Sequence, residues 1–86
     1  MKKLIKYGGE WCTSCKAVSK LLGTLPLEEN NIVVEDVDID SISRLELQKA
    51  GVKGVPTLIL QDDDGNEIRR VTAALSLGQL KTFLGV

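Results

Sequence analysis

Apolar residues recur along this chain with two periods, and the changes of period divide it into seven elements. Lys3 to Tyr7 alternates, with Leu4 and Lys6 on one face and Ile5 and Tyr7 on the other, as a short strand does. After Gly8-Gly9 the spacing lengthens. Val18, Leu22 and Leu25 follow Cys15 at helical intervals, with Leu21 alongside, and predict a helix from about Cys12 to Gly23 that Pro26 keeps short. Ile32 to Ile39 returns to alternation, with Val33, Glu35, Val37 and Ile39 on one face and Val34, Asp36 and Asp38 on the other.

Ser43-Arg44-Leu45-Glu46 has the spacing of a capping box for a second helix, which Asp40 or Ser41 could also start a little earlier, and which ends at Ala50 because Gly51 can adopt the left-handed conformation. Val55-Pro56-Thr57 then leads into the apolar run Leu58-Ile59-Leu60. Proline has no N–H to give to a ladder, so Pro56 belongs at the mouth of this strand. Asp62-Asp63-Asp64-Gly65-Asn66 reads as a solvated turn joining it to a strand over Glu67–Thr72 as a hairpin. Ser76-Leu77-Gly78-Gln79 is another capping box, Leu75 and Leu80 stand at the positions of a hydrophobic staple, and Leu80, Phe83 and Leu84 mark the buried face of a terminal helix. The order is β-α-β-α-β-β-α. A right-handed crossover makes the first two strands parallel and the hairpin adds antiparallel ones, giving an α/β fold with a four-stranded mixed sheet flanked by three helices.

Eighty-six residues suffice for one domain, and a net charge of −1 gives no reason to expect nucleic acid or an anionic membrane as partner. Neither a transmembrane run nor a signal peptide is visible, since Lys6 interrupts the apolar residues that follow Met1-Lys2-Lys3. The expected location is a reducing cytoplasm, where paired cysteines are more often catalytic than structural. Few aromatics and a near-neutral charge suggest a monomer.

Both cysteines lie in Trp11-Cys12-Thr13-Ser14-Cys15-Lys16, where the strand pattern gives way to the first helix pattern. Residues i and i+3 of a first helical turn share a face, so the two thiols can close a disulfide with little backbone movement. Unpaired N–H groups and the positive end of the helix dipole favour thiolate over thiol there, and cysteine pKa values at such sites fall from about 8.5 to roughly 3.5–7.5. Cys15 begins the buried stripe and is read as the sheltered resolving thiol. Cys12, at the cap beside Trp11, is read as the exposed attacking thiolate. A structural disulfide closing so short a loop would constrain the unfolded chain little. A zinc site needs about four ligands, and the chain has two cysteines and no histidine, so no metal is expected.

These features resemble the thioredoxin-like superfamily over nearly the whole chain. The likeness rests on Glu10 to Lys16, on Asp38-Ile39-Asp40, on Gly51 to Leu58 and on Ala74 to Leu80. The order of elements is that of a minimal thioredoxin fold without the first strand and helix of full-length thioredoxins, and in size it is nearer to glutaredoxins and small phage-type thioredoxins. The resemblance implies a cis Val55–Pro56 bond facing the cysteines, with the Val55 backbone pairing with extended substrates. It implies a protein-disulfide reductase that needs no cofactor beyond a redox-active Cys12–Cys15 disulfide, with Trp11 in the substrate-receiving surface. Its partners would be disulfide-containing proteins, ribonucleotide reductase among them, and a thioredoxin reductase or glutathione as electron donor.

Two departures bear on mechanism. Thr13-Ser14 replaces the usual Gly-Pro between the cysteines, and these hydroxyls can cap the helix or hydrogen-bond a sulfur. Thioredoxins also place a buried acid six residues before the first cysteine and a lysine on the neighbouring strand, where this chain has Lys6 and Asp36. The exchange suggests an ion pair beneath the cysteines, with Asp36 as proton acceptor for Cys15 and Lys6 lowering the thiol pKa values. The alternative is a snorkelling Lys6 and a solvated Asp36. Thr72-Ala73-Ala74 lacks the glycines and acid with which many glutaredoxins hold glutathione. A non-redox adaptor built on the same fold is the remaining alternative.

Overall fold

A computed structural model describes all 86 residues. The strands are β1 (Lys2–Gly8), β2 (Ile32–Asp38), β3 (Thr57–Gln61) and β4 (Glu67–Val71), and the helices α1 (Thr13–Leu22), α2 (Arg44–Ala50) and α3 (Leu77–Leu84). They follow the order expected from the hydrophobic pattern and form one sheet with strand order β2-β1-β3-β4. β1 and β2 are parallel and joined by the crossover through α1, whereas β3 runs antiparallel to both β1 and β4. A short 3-10 turn at Glu28–Asn30, absent from the sequence reading, leads into β2 through Asn31, whose φ of 58° is in the left-handed region.

Alternation along the strands decides which face is which. Leu4, Ile32, Leu58 and Leu60 point to one side, where Val18, Leu22 and Leu25 of the α1 region and Leu80 and Leu84 of α3 close over them as one apolar cluster. The opposite face carries Ile5, Tyr7 and Ile59 and is covered by α2, which has no fully buried residue of its own. The hairpin contains one irregularity. Leu60 faces Arg69 while Gln61 faces Glu67, so Ile68 is left out of the ladder as a bulge.

Local chemistry sets the ends of the elements. Ser76 and Gln79 form the full reciprocal capping box of α3, with Gln79 N–H donating to Ser76 Oγ at 3.3 Å and Ser76 N–H to Gln79 Oε1 at 2.9 Å. At α2 only half of the box is made: Glu46 N–H donates to Ser43 Oγ, and the Glu46 carboxylate accepts from that hydroxyl instead of from the backbone. Gly51 takes the left-handed C-cap position at φ 71°. In the acidic turn, Asp62 accepts from the N–H groups of Asp64 and Asn66, which folds the hairpin loop, and Asp63 pairs with the N-terminal ammonium.

Adjacent arginines of β4 hold helix ends on opposite faces. Arg69 Nη1 donates to Phe83 O of α3 at 2.8 Å, and Arg70 Nη1 donates to Ala50 O at 3.0 Å and Gly51 O at 3.3 Å, at the end of α2. Each supplies a cation and a donor to orphan carbonyls at a helix C-terminus.

Candidate active site

The site lies where β1 ends and α1 begins. Gly8 and Gly9 carry the chain out of the sheet, and Cys12, in extended conformation, is itself the N-cap of α1. Its Sγ accepts the Cys15 N–H at 3.2 Å and lies 3.4 Å from Ser14 Oγ. A sulfur thus occupies the place usually taken by a serine or aspartate oxygen, facing the unpaired N–H groups of the first turn. Of the two intervening hydroxyl residues, Ser14 is the one at the sulfur, and neither caps the helix. Cys12 and Cys15 are joined in a disulfide, with Cα atoms 5.2 Å apart.

The exposed thiol expected at Cys12 needs correction. Cys12 keeps only 6% of its surface and Cys15 2%, so in the bridged state both belong to the interior. The cap position turns the Cys12 sulfur in toward the helix N–H groups, and the bridge covers it further.

Trp11 is 62% exposed, so it does not seal the core. Its Nε1–H donates to Asp40 Oδ2 at 2.9 Å, which holds the indole against Gly9. Trp11 lines a groove of about 230 Å³ with Ile39, Leu47, Val52, Lys53, Gly54 and Val55. The Val55–Pro56 bond is cis, as the resemblance implied. Its loop is pinned from below by the fully buried Thr57, whose hydroxyl donates to Gly54 O at 2.6 Å and shares a hydrogen bond of 3.1 Å with Thr72 Oγ1.

Lys6 and Asp36 are register partners on parallel strands and form an ion pair, Nζ to Oδ1, at 2.9 Å. Lys6 is buried at 7% exposure, but the Asp36 side chain is 68% exposed, so only one half of the pair lies beneath the cysteines. The solvated Asp36 of the alternative reading and the ion pair of the first are both present. A cleft lined by Lys6, Gly8, Cys15 and Asp36 leads from this pair toward the buried sulfur.

Sequence reasoning missed three contributors. Gly8 and Gly9 each leave space that a Cβ would fill, against Cys15 Sγ at 3.1 Å and Trp11 Nε1 at 2.7 Å respectively. Asp40 lies 29 residues from the indole it holds. The double glycine was the available signal for the first two, and nothing local marks the third. No three His, Cys, Asp or Glu side chains converge as a metal site, and no helix is long and apolar enough to cross a membrane.

Comparison with known proteins agrees with this geometry. The family model described as thioredoxin matches residues 1–85. Thioredoxin of Pseudomonas aeruginosa is 35% identical over 82 residues, covering 94% of this chain and 74% of that one. Thioredoxin of Chlamydia trachomatis is 39% identical over 67 residues, or 78% of this chain, which spans only 64% of that relative's length. Among solved structures, a mutant thioredoxin from Halobacterium salinarum superposes with a TM-score of 0.81 at 28% identity, covering 96% of this chain and 71% of that one. By that match, and in keeping with the Cys12–Cys15 bridge at the start of α1, the cis-proline loop and the sheet order, this chain belongs to the thioredoxin family.

Proposed function

We propose that this chain is a thiol–disulfide oxidoreductase that reduces disulfides in proteins. The observation that carries the reading is the Cys12–Cys15 disulfide at the start of α1, with the Cys12 sulfur bound by the Cys15 N–H. In the reduced state that N–H and the helix dipole stabilise a Cys12 thiolate. The thiolate attacks one sulfur of the substrate disulfide, forming a mixed disulfide and expelling the other substrate sulfur as a thiolate. Cys15 then attacks Cys12 Sγ, the Cys12–Cys15 bond forms, and the second substrate thiolate leaves. An external dithiol or glutathione returns two electrons to the bridge.

The groove between Trp11 and Val55 is the substrate-receiving surface in this reading. An extended segment pairs there with the Val55 backbone beside Pro56, and a monomer suffices. Disulfide-containing proteins of a reducing cytoplasm, ribonucleotide reductase among them, are the substrate class.

The test is trapping. Cys15→Ser leaves the first step intact and removes the second, so incubation with a disulfide-bonded protein accumulates a covalent adduct that dithiothreitol releases. Cys12→Ser accumulates none. Adduct on the Cys12→Ser variant and none on Cys15→Ser would reverse the two roles, and no adduct on either would overturn the reading. Recycling by glutathione, compared with recycling by a thioredoxin reductase, distinguishes the two electron donors.

A further inference from the structure

We infer that Lys6 is a positioning residue for the dithiol chemistry: its buried ammonium stabilises the thiolate of Cys15, and Asp36 sets how strongly. The inference deepens the reading above and rests on it for the role of Cys15 as resolving thiol.

Lys6 is the one charged residue in the interior of the chain. It lies on the core face of β1 with Leu58 of β3 as its apolar register partner, and a charge so placed persists only with a partner. Asp36 accepts one of its three N–H groups, but Asp36 is largely in water, so its compensation is screened. The ammonium and the Cys15 sulfur also both border Gly8. A Cβ built on Gly8 would stand 3.7 Å from Lys6 Nζ and 3.1 Å from Cys15 Sγ, and the glycine leaves the space between them free of side chain. The remaining charged groups of this cleft are the exposed Glu10 and Lys16 and the half-buried Asp38, the β2 register partner of Gly8, whose carboxylate accepts the Asp40 N–H and adds a second opposing charge; from α1 Ser19 adds only a hydroxyl.

The bridged sulfur is neutral and gives the ammonium nothing to stabilise. When two glutathione molecules reduce the bridge, one glutathione disulfide forms and the two protein sulfurs take up protons unless held as thiolates. Beside Lys6, Cys15 remains a thiolate to lower pH, so reduction takes up fewer protons and the dithiol form gains. The same charge serves resolution: Cys15 attacks the mixed disulfide as a ready thiolate, with no proton to lose in that step.

Alkylation of the single thiol in a Cys12→Ser background, followed against pH, reads the Cys15 pKa without any substrate. Lys6→Met should raise it by about one unit, a tenfold loss of thiolate stabilisation, whereas Asp36→Asn should lower it by removing the opposing charge. In the dithiol protein, Lys6→Met should shift the equilibrium with glutathione about tenfold toward the bridge, which is about 30 mV, and Asp36→Asn should shift it the other way. A merely structural pair would move both variants in one direction or in none, and either result overturns the inference. Should Lys6→Met not fold, Asp36→Asn alone decides, since its site is exposed: a Cys15 pKa unchanged or raised overturns the inference. Opposed pKa shifts in a protein that forms no adduct with disulfide substrates would uphold the electrostatic role and sink the functional reading instead.

Discussion

Gly9 is where a single methyl group would reach furthest. Its Cβ would meet Trp11 Nε1 at 2.7 Å and Cε2 at 2.8 Å, and an indole is a rigid plate that cannot fold aside as a long side chain can. Gly9→Ala therefore lifts the ring from its place and breaks the hydrogen bond to Asp40. Trp11 is the only tryptophan, so its near-ultraviolet circular dichroism reports this directly. The band should weaken in Gly9→Ala and also in Asp40→Ala, and an unchanged band in Gly9→Ala would show that the ring tolerates the methyl. The cysteine pair was legible because its meaning is local, a spacing of three at the start of a helical stripe. Asp40 was not, because what matters is the nitrogen it accepts from, and that nitrogen comes from a distant element. Lys6 and Asp36 were read as a pair from strand alternation, while the difference in their burial depends on what covers each strand end.

Element boundaries were readable wherever a cap is built from neighbours. Ser43, Gly51 and the Ser76–Gln79 box stand where the spacing placed them. The arginine caps were invisible, because they depend on which residues of β4 face which side. Their electrostatics give a pH signature. Glu67 and Arg70 are joined by two hydrogen bonds, Arg70 Nε to Oε2 at 2.8 Å and Nη2 to Oε1 at 2.5 Å. The hydrogen bond from Arg70 holds the Glu67 carboxyl below its ordinary value of 4.5, while the same bond pushes the Arg70 guanidinium further up. The folded protein thus binds this proton less tightly than the unfolded chain. The contribution is fully present above pH 4.5 and is lost as pH falls through the lower folded-state value. In a thermal-unfolding series from pH 6 to pH 2.5, wild type should lose its margin over Glu67→Gln across that acid window. A margin constant with pH would show that the pair contributes nothing. At an exposed site the effect is small, but Arg70 also holds the end of α2, so Arg70→Met should cost more than Glu67→Gln.

At the scale of the molecule, the sheet has one heavily buried face and one thin one. The cluster around Leu4, Leu58 and Leu60 lies wholly between the sheet and the α1–α3 layer. Leu58→Ala should therefore cost about 2–5 kcal/mol in denaturant unfolding, as large-to-small changes in packed cores do. Leu45→Ala, on α2 at 58% exposure, should stay within about 0.5 kcal/mol. Similar costs at the two positions would mean that α2 is packed more tightly than its exposure indicates. The strand and helix order was legible because each element repeats its pattern over several residues. The Glu28–Asn30 turn, three residues with no period of their own, was not.

The bulge at Ile68 decides which helix each arginine serves. Without it, Leu60 would face Ile68 and Ile59 would face Arg69, and every later residue of β4 would turn over. Arg69 would then point toward α2 and Arg70 toward α3, with each guanidinium one step along from the carbonyls it now meets. A hairpin zipped in that regular register would keep all of its strand pairing and strand both helix ends. The irregular residue is in this sense a phase mark: it lets a two-arginine dipeptide act as a fastener through the sheet, and a hairpin zipped without it would forfeit both helix contacts together with the Thr57–Thr72 hydrogen bond.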